Sequence, residues 1–184
     1  MRLRHTLSWI LPALLYAGAI LADQTDTELD TLFADLKSAA TLAEARVAED
    51  RIWAHWARSG DQAVDELYAA GISAMREGRL DEAIRVFSKV IAAKPKFAEG
   101  WNKRATLYFY ADRFDESVSD IRAVLALEPR HFGAISGMGL VFLVQKDYAG
   151  ALLAFEQVLA INPQSLFARA QVERLREVLK RGPV

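Results

Sequence analysis

The chain is predicted to fold as an all-α solenoid, a stack of antiparallel helix pairs finished at each end by further helices. Three observations carry that expectation. Pro95, Pro129 and Pro163 stand at intervals of 34 residues, a period that belongs to helical repeats. The small and large apolar residues between the prolines recur in one register. Outside this region the apolar residues follow the 3.6-residue period of amphipathic helices.

Counting back from each proline gives three units, 64–97, 98–131 and 132–165. On the first helix of each unit, position four holds Leu67, Trp101 and Ile135, and position eight holds Gly71, Ala105 and Gly139. Position eleven holds Ala74, Tyr108 and Phe142. On the second helix, position seventeen gives Leu80, Phe114 and Tyr148, and position twenty gives Ala83, Ser117 and Ala151. Position twenty-four gives Phe87, Ile121 and Phe155, and position twenty-seven gives Val90, Val124 and Val158. Small residues let two helices approach, and the large ones fill the space beside them. Each proline ends its second helix, because it lacks an N–H and pushes the preceding residue out of the α region.

Across residues 64–165 this pattern resembles the tetratricopeptide-repeat (TPR) family. The departures are Ala70, Arg104 and Met138 in place of the usual leucine at position seven, and Ser117 in place of alanine. The resemblance implies a right-handed superhelix whose concave face holds other polypeptides. In TPR proteins positions two, five, nine, twelve and thirteen of the first helix tend to face that groove. By register the first unit offers Asp65, Tyr68, Ile72, Met75 and Arg76, and the second offers Glu99, Asn102, Thr106, Phe109 and Tyr110. The third offers Gly133, Ser136, Leu140, Leu143 and Val144. The expected binding set is therefore Tyr68, Ile72, Arg76, Asn102, Thr106, Phe109, Tyr110, Ser136, Leu140 and Leu143. Asn102 can bond a peptide backbone through both amide atoms, and the aliphatic strip suits an apolar anchor.

One TPR subclass grips the C-terminal carboxylate of chaperone tails with lysine and asparagine at fixed groove positions. Here Tyr68 and Ile72 stand in two of those places, and Gly133 and Gly137 replace a lysine and an arginine. The resemblance therefore does not extend to that clamp. Gly133 and Gly137 either admit a ligand backbone or are merely tolerated. Gly139 has a packing reason at position eight.

The flanks read as helices. Leu29, Leu32, Phe33 and Leu36 share one helical face. Thr41 with Glu44 forms a capping box for a second helix lined by Ala45, Ala48, Ile52 and Trp56. Residues 28–60 are expected to be a degenerate pair capping the solenoid, since Glu49 falls where the repeat asks for alanine. Trp53 and Trp56 are expected in packing rather than in an exposed contact site. Ser165 caps a terminal helix over 166–181, with Arg169/Glu173 and Glu177/Arg181 spaced to pair along it.

The N-terminus carries Arg2, Arg4 and His5 ahead of an apolar run from Ile10 to Ala22. That order describes a secretory signal peptide over 1–22, cleaved after Ala19 or Ala22 and leading to the periplasm. An uncleaved membrane anchor is the alternative. The run is shorter than the about 20 apolar residues a span needs.

Lys and Arg total 23 against 24 Asp and Glu, which leaves no field suited to nucleic acid. There are no cysteines, which excludes disulfides and thiolate chemistry. His5, His55 and His131 are scattered, and His131 is expected as a surface turn residue. Asp81-Glu82 and Asp115-Glu116 fall at the starts of second helices, where the helix dipole favours them. No phosphate loop, GxSxG or HExxH pattern occurs. The sequence thus predicts no enzyme, cofactor or metal site. It predicts an exported bacterial adaptor that binds an unidentified protein or peptide in the concave groove. The alternative is a self-associating protein whose groove is closed by its own C-terminal helix or by another copy.

Overall fold

The computed structural model describes residues 26–181; the signal segment expected over residues 1–22 lies outside the described residues. Among these residues the regular structure is helical throughout: α1 (Thr27–Ser38), α2 (Leu42–Trp56), α3 (Gln62–Arg76), α4 (Leu80–Ala93), α5 (Ala98–Tyr110), α6 (Phe114–Leu127), α7 (Phe132–Val144), α8 (Tyr148–Ile161) and α9 (Leu166–Lys180). The helices α3/α4, α5/α6 and α7/α8 pack as antiparallel pairs, and each second helix packs on the first helix of the next unit. This is an all-α solenoid of stacked pairs.

Position eight shows why the pairs close so tightly. A Cβ on Gly71 would lie 2.8 Å from the Phe87 ring, and one on Gly139 would lie 2.8 Å from the Phe155 ring. The middle unit uses Ala105 opposite the smaller Ile121, and both are buried. Volume is exchanged across one contact, so the total stays near the packing density of a core.

The turns also repeat. Position fifteen adopts the left-handed conformation in every unit, at Gly78 (φ 72°), Asp112 (φ 55°) and Lys146 (φ 59°). The residue after it donates back to the first helix, as in Arg113 N–H to Tyr108 C=O and Asp147 N–H to Phe142 C=O, both 2.9 Å. This is a Schellman-type stop that only the first unit builds with glycine. Between units, each proline sits in a turn closed by one bond: Phe97 N–H to Lys94 C=O, His131 N–H to Glu128 C=O and Ser165 N–H to Asn162 C=O.

The first helix pair corrects an expectation. Rather than extending the stack beyond α3, α1 and α2 lie lengthwise across the turns between units. Gln164 Nε2 donates to Ala39 C=O and Asn162 Nδ2 to Glu49 Oε2 at the third turn. Arg130 meets Asp30 at 2.6 Å and covers the Phe33 ring at the second turn. Lys94 donates to Ser59 C=O at the first. Leu32, Leu36 and Ile52 are buried beneath this strap in one core with Phe132, Phe155 and Leu175. Glu49, which breaks the repeat register, is the residue that reaches Asn162. The Thr41/Glu44 capping box is present.

Beyond the third unit α9 packs on α8 in the way that each first helix packs on the second helix before it. Ala168, Val172 and Leu175 are buried against the stack. Positions four, eight and eleven, which would face a second helix, are Arg169, Glu173 and Arg176, all exposed. That face of α9 is therefore charged, where the preceding first helices carry the apolar and small residues of the repeat. The two pairs expected along α9 do not form: Arg169 donates to Pro163 C=O, and Glu177 pairs with Lys180.

Candidate partner-binding groove

The first helices α5 and α7 diverge over α6 and leave an apolar cleft of about 110 Å³. Its floor is Ala105, Ser117, Ile121 and Ala134. The α5 wall is Asn102, Thr106, Phe109 and Tyr110, and the α7 wall is Gly133, Gly137 and Leu140. Among the described residues no charged side chain lines it. Tyr110 stands 63% exposed at the rim, so the cleft opens beside a free aromatic surface.

Of the ten residues expected in the groove, Asn102, Thr106, Phe109, Tyr110 and Leu140 come together here. The other five lie elsewhere. Tyr68 and Ile72 are half-buried in the core of the first unit, with the Tyr68 ring edge-on to Phe87 and Phe97. Burial pushes the Tyr68 phenol up, with the Glu99 carboxylate adding to it. Arg76 is exposed at the end of α3. Ser136 and Leu143 are half-buried outside the cleft, and Leu143 packs against the main core. The α9 helix contributes no residue to the lining.

Two expectations are corrected at one end of the cleft. Glu99, assigned to the groove surface, is 1% exposed, and His131, read as a surface turn residue, is fully buried. Glu99 Oε2 accepts from Asn102 Nδ2 at 2.8 Å and lies 3.5 Å from Lys103 Nζ. His131 Nδ1 accepts from Ala134 N–H at 3.1 Å, which caps α7 and leaves the proton on Nε2. Burial holds the imidazole down at about 3, and the nearby Lys103 charge pushes the same way. The ring is therefore neutral across the physiological range.

The strap covers His131 with two indoles: Trp56 stacks on the ring at 4.0 Å, and Trp53 meets it edge-on. The Trp53 side chain packs further along the second turn. Its indole meets Phe132 edge-on at 5.2 Å and His131 at 5.6 Å, with Lys103 over its face. A Cβ on Gly133 would lie 2.6 Å from the Trp53 ring. Gly133 is therefore a packing glycine that admits the strap. Sequence register alone assigns these residues to a surface because it has no way to place the strap over them. The floor residues Ser117 and Ile121 were readable only as repeat core.

The comparisons agree with this architecture. A tetratricopeptide-repeat family model matches residues 68–109 and 102–165. A TPR repeat-containing protein of Rhizobium etli is 38% identical over 151 residues, which is 82% of this chain and 74% of that protein. Superkiller complex protein 3 of Homo sapiens is 28% identical over 94 residues, 51% of this chain and only 6% of that much longer protein. Among solved structures, the first TPR domain of Spaghetti bound to an HSP90 peptide superposes with a TM-score of 0.62 at 25% identity, covering 65% of this chain and 94% of that one. With three repeats in register, matched turns and these relatives, the chain belongs to the tetratricopeptide-repeat family, whose domains mediate protein–protein interaction.

Proposed function

We propose that this protein is a non-enzymatic adaptor of the bacterial cell envelope that holds a polypeptide partner in the cleft between α5 and α7. The observation that carries the reading is an apolar, uncharged cleft on the repeat face, open beside the exposed Tyr110. Contiguous exposed apolar surface of this kind marks contact sites. The peptide bound to the similar Spaghetti domain supports a polypeptide ligand. The acidic residues of that peptide are left out of the proposal, because among the described residues the cleft offers no cation to receive them. The envelope assignment rests on the basic start and apolar run of residues 1–22.

A photo-crosslinking residue at Tyr110 in living cells tests this. One dominant heterologous adduct, lost when Leu140→Asp is added, supports the adaptor. A self-adduct, together with a homo-oligomer that resists dilution in light scattering, replaces it with the self-associating reading. The intact mass of the purified protein, with or without residues 1–22, tests export.

A further inference from the structure

Of the two glycines lining the cleft, Gly133 and Gly137, only Gly137 leaves space that the described residues do not fill. A Cβ there would make only ordinary contact, 3.4 Å from the tip of Ile121, whereas Gly133 and Gly139 would collide with Trp53 and Phe155. A glycine inside a helix is less stable than alanine. Nothing in the packing of α7 returns that loss at Gly137.

Asn102 supplies a second, independent observation. It is 94% buried, at 6% exposed, and its amide is oriented by Glu99. A carboxylate only accepts, so Nδ2 must face it. That leaves Oδ1 for the cleft, and among the described residues no donor reaches it.

We infer that the cleft receives one uncharged aliphatic side chain, of leucine or methionine size, from an extended peptide whose adjacent backbone N–H donates to Asn102 Oδ1. The side chain packs against the bare backbone of Gly137 and the flank of Leu140. A helical ligand is disfavoured, since its internal N–H groups are already bonded. A charged anchor is disfavoured, since no lining group pairs with it and desolvation opposes it. An extended segment leaves its backbone N–H groups unpaired, so one of them is available to Asn102 Oδ1 while the side chain beside it fills the cleft. This rests on the peptide-binding reading above and specifies its ligand.

The test is a random dodecapeptide library displayed against the purified repeat protein. Each selected peptide is then made with a fluorescein label and an amidated C-terminus, and titrated by polarisation. The expected binders share one leucine or methionine position. Gly137→Ala weakens them about tenfold or more, because the added methyl fills the anchor's seat, while the melting temperature rises by about 2–4 °C. N-methylation of the backbone amide next to the anchor weakens binding by about tenfold. Binders weakened by Leu140→Asp but indifferent to Gly137→Ala, or binders with a charged recurrent position, overturn the inference and leave the peptide-binding reading standing. A fall in melting temperature on Gly137→Ala also overturns it, since the glycine would then serve packing. Binders indifferent to both substitutions, or no binders, overturn the inference and the cleft reading together.

Discussion

The indole of Trp56 lies face to face with the imidazole of His131, their centroids 4.0 Å apart and their planes 6° from parallel. One ring comes from the strap and the other from the second inter-unit turn, so this stack joins the N-terminal helices to the repeats. Trp56 also packs on Phe33 and Phe132. Replacing it with alanine opens a cavity among buried rings and should cost about 3–5 kcal/mol. Trp53→Ala, at a half-buried site, should cost less. Urea midpoints of the two variants check the order; equal losses would mean that the strap is not anchored through Trp56.

His131 gives stability a pH dependence. Its imidazole titrates near the ordinary 6.5 in the unfolded chain and at about 3 when folded. Between those values the unfolded chain binds a proton that the folded one does not. The contribution is therefore complete above 6.5 and is lost progressively as the pH falls towards 3, by up to about 1.4 kcal/mol per unit. His131→Asn keeps a side-chain acceptor for the α7 cap and removes the titration. Denaturation between pH 6.5 and 5 should show a steeper loss in the parent than in the variant. Parallel slopes would assign the dependence to other groups.

The position-eight contact predicts a compensated pair. Gly139→Ala should destabilise by about 1–3 kcal/mol despite its better helix propensity, because the new methyl meets the Phe155 ring. Phe155→Ile alone leaves a void. Together they recreate the Ala105/Ile121 contact of the middle unit, so the double variant should recover much of the loss. A double-mutant cycle reads the coupling, and strictly additive costs would show that the two sites relax independently.

Arg104, one of the departures at position seven, is held by Asp120 through two bonds of 2.7 and 2.9 Å and donates to Ser88 at 2.9 Å. It thereby links α4, α5 and α6. Asp120 is buried, and the Arg104 guanidinium is held up chiefly by its bond to that carboxylate. Asp120→Ala leaves a cation without its partner and should cost about 3–5 kcal/mol. Asp120→Ala combined with Arg104→Leu, which restores the usual leucine, should cost clearly less. Thermal melts of the single and double variants decide it.

Register places four of the five α5 positions on one wall, Asn102, Thr106, Phe109 and Tyr110, whereas Glu99 is turned inward to Asn102 and Lys103. The first-unit positions failed for a packing reason. Tyr68 is drawn between Phe87 and Phe97, so a large ring at a nominal groove position becomes core. The role of Gly133 was not readable, because its neighbour Trp53 lies eighty residues earlier and belongs to no repeat.

By itself the sequence determined the helix pairs, their 34-residue period and their small-to-large contacts. Each unit touches mainly itself and its neighbour, so its packing rules are written locally and three times over. Only the tertiary structure decided where α1 and α2 lie, which groove positions stay open and that His131 is buried. Those outcomes depend on packing between residues far apart in the chain, such as Trp56 on His131 and Trp53 over Gly133. Arg130–Asp30 and Asn162–Glu49 add bonds between residues 100 and 113 apart. Such pairs have no period, and their partners are set by shape and charge across the tertiary fold.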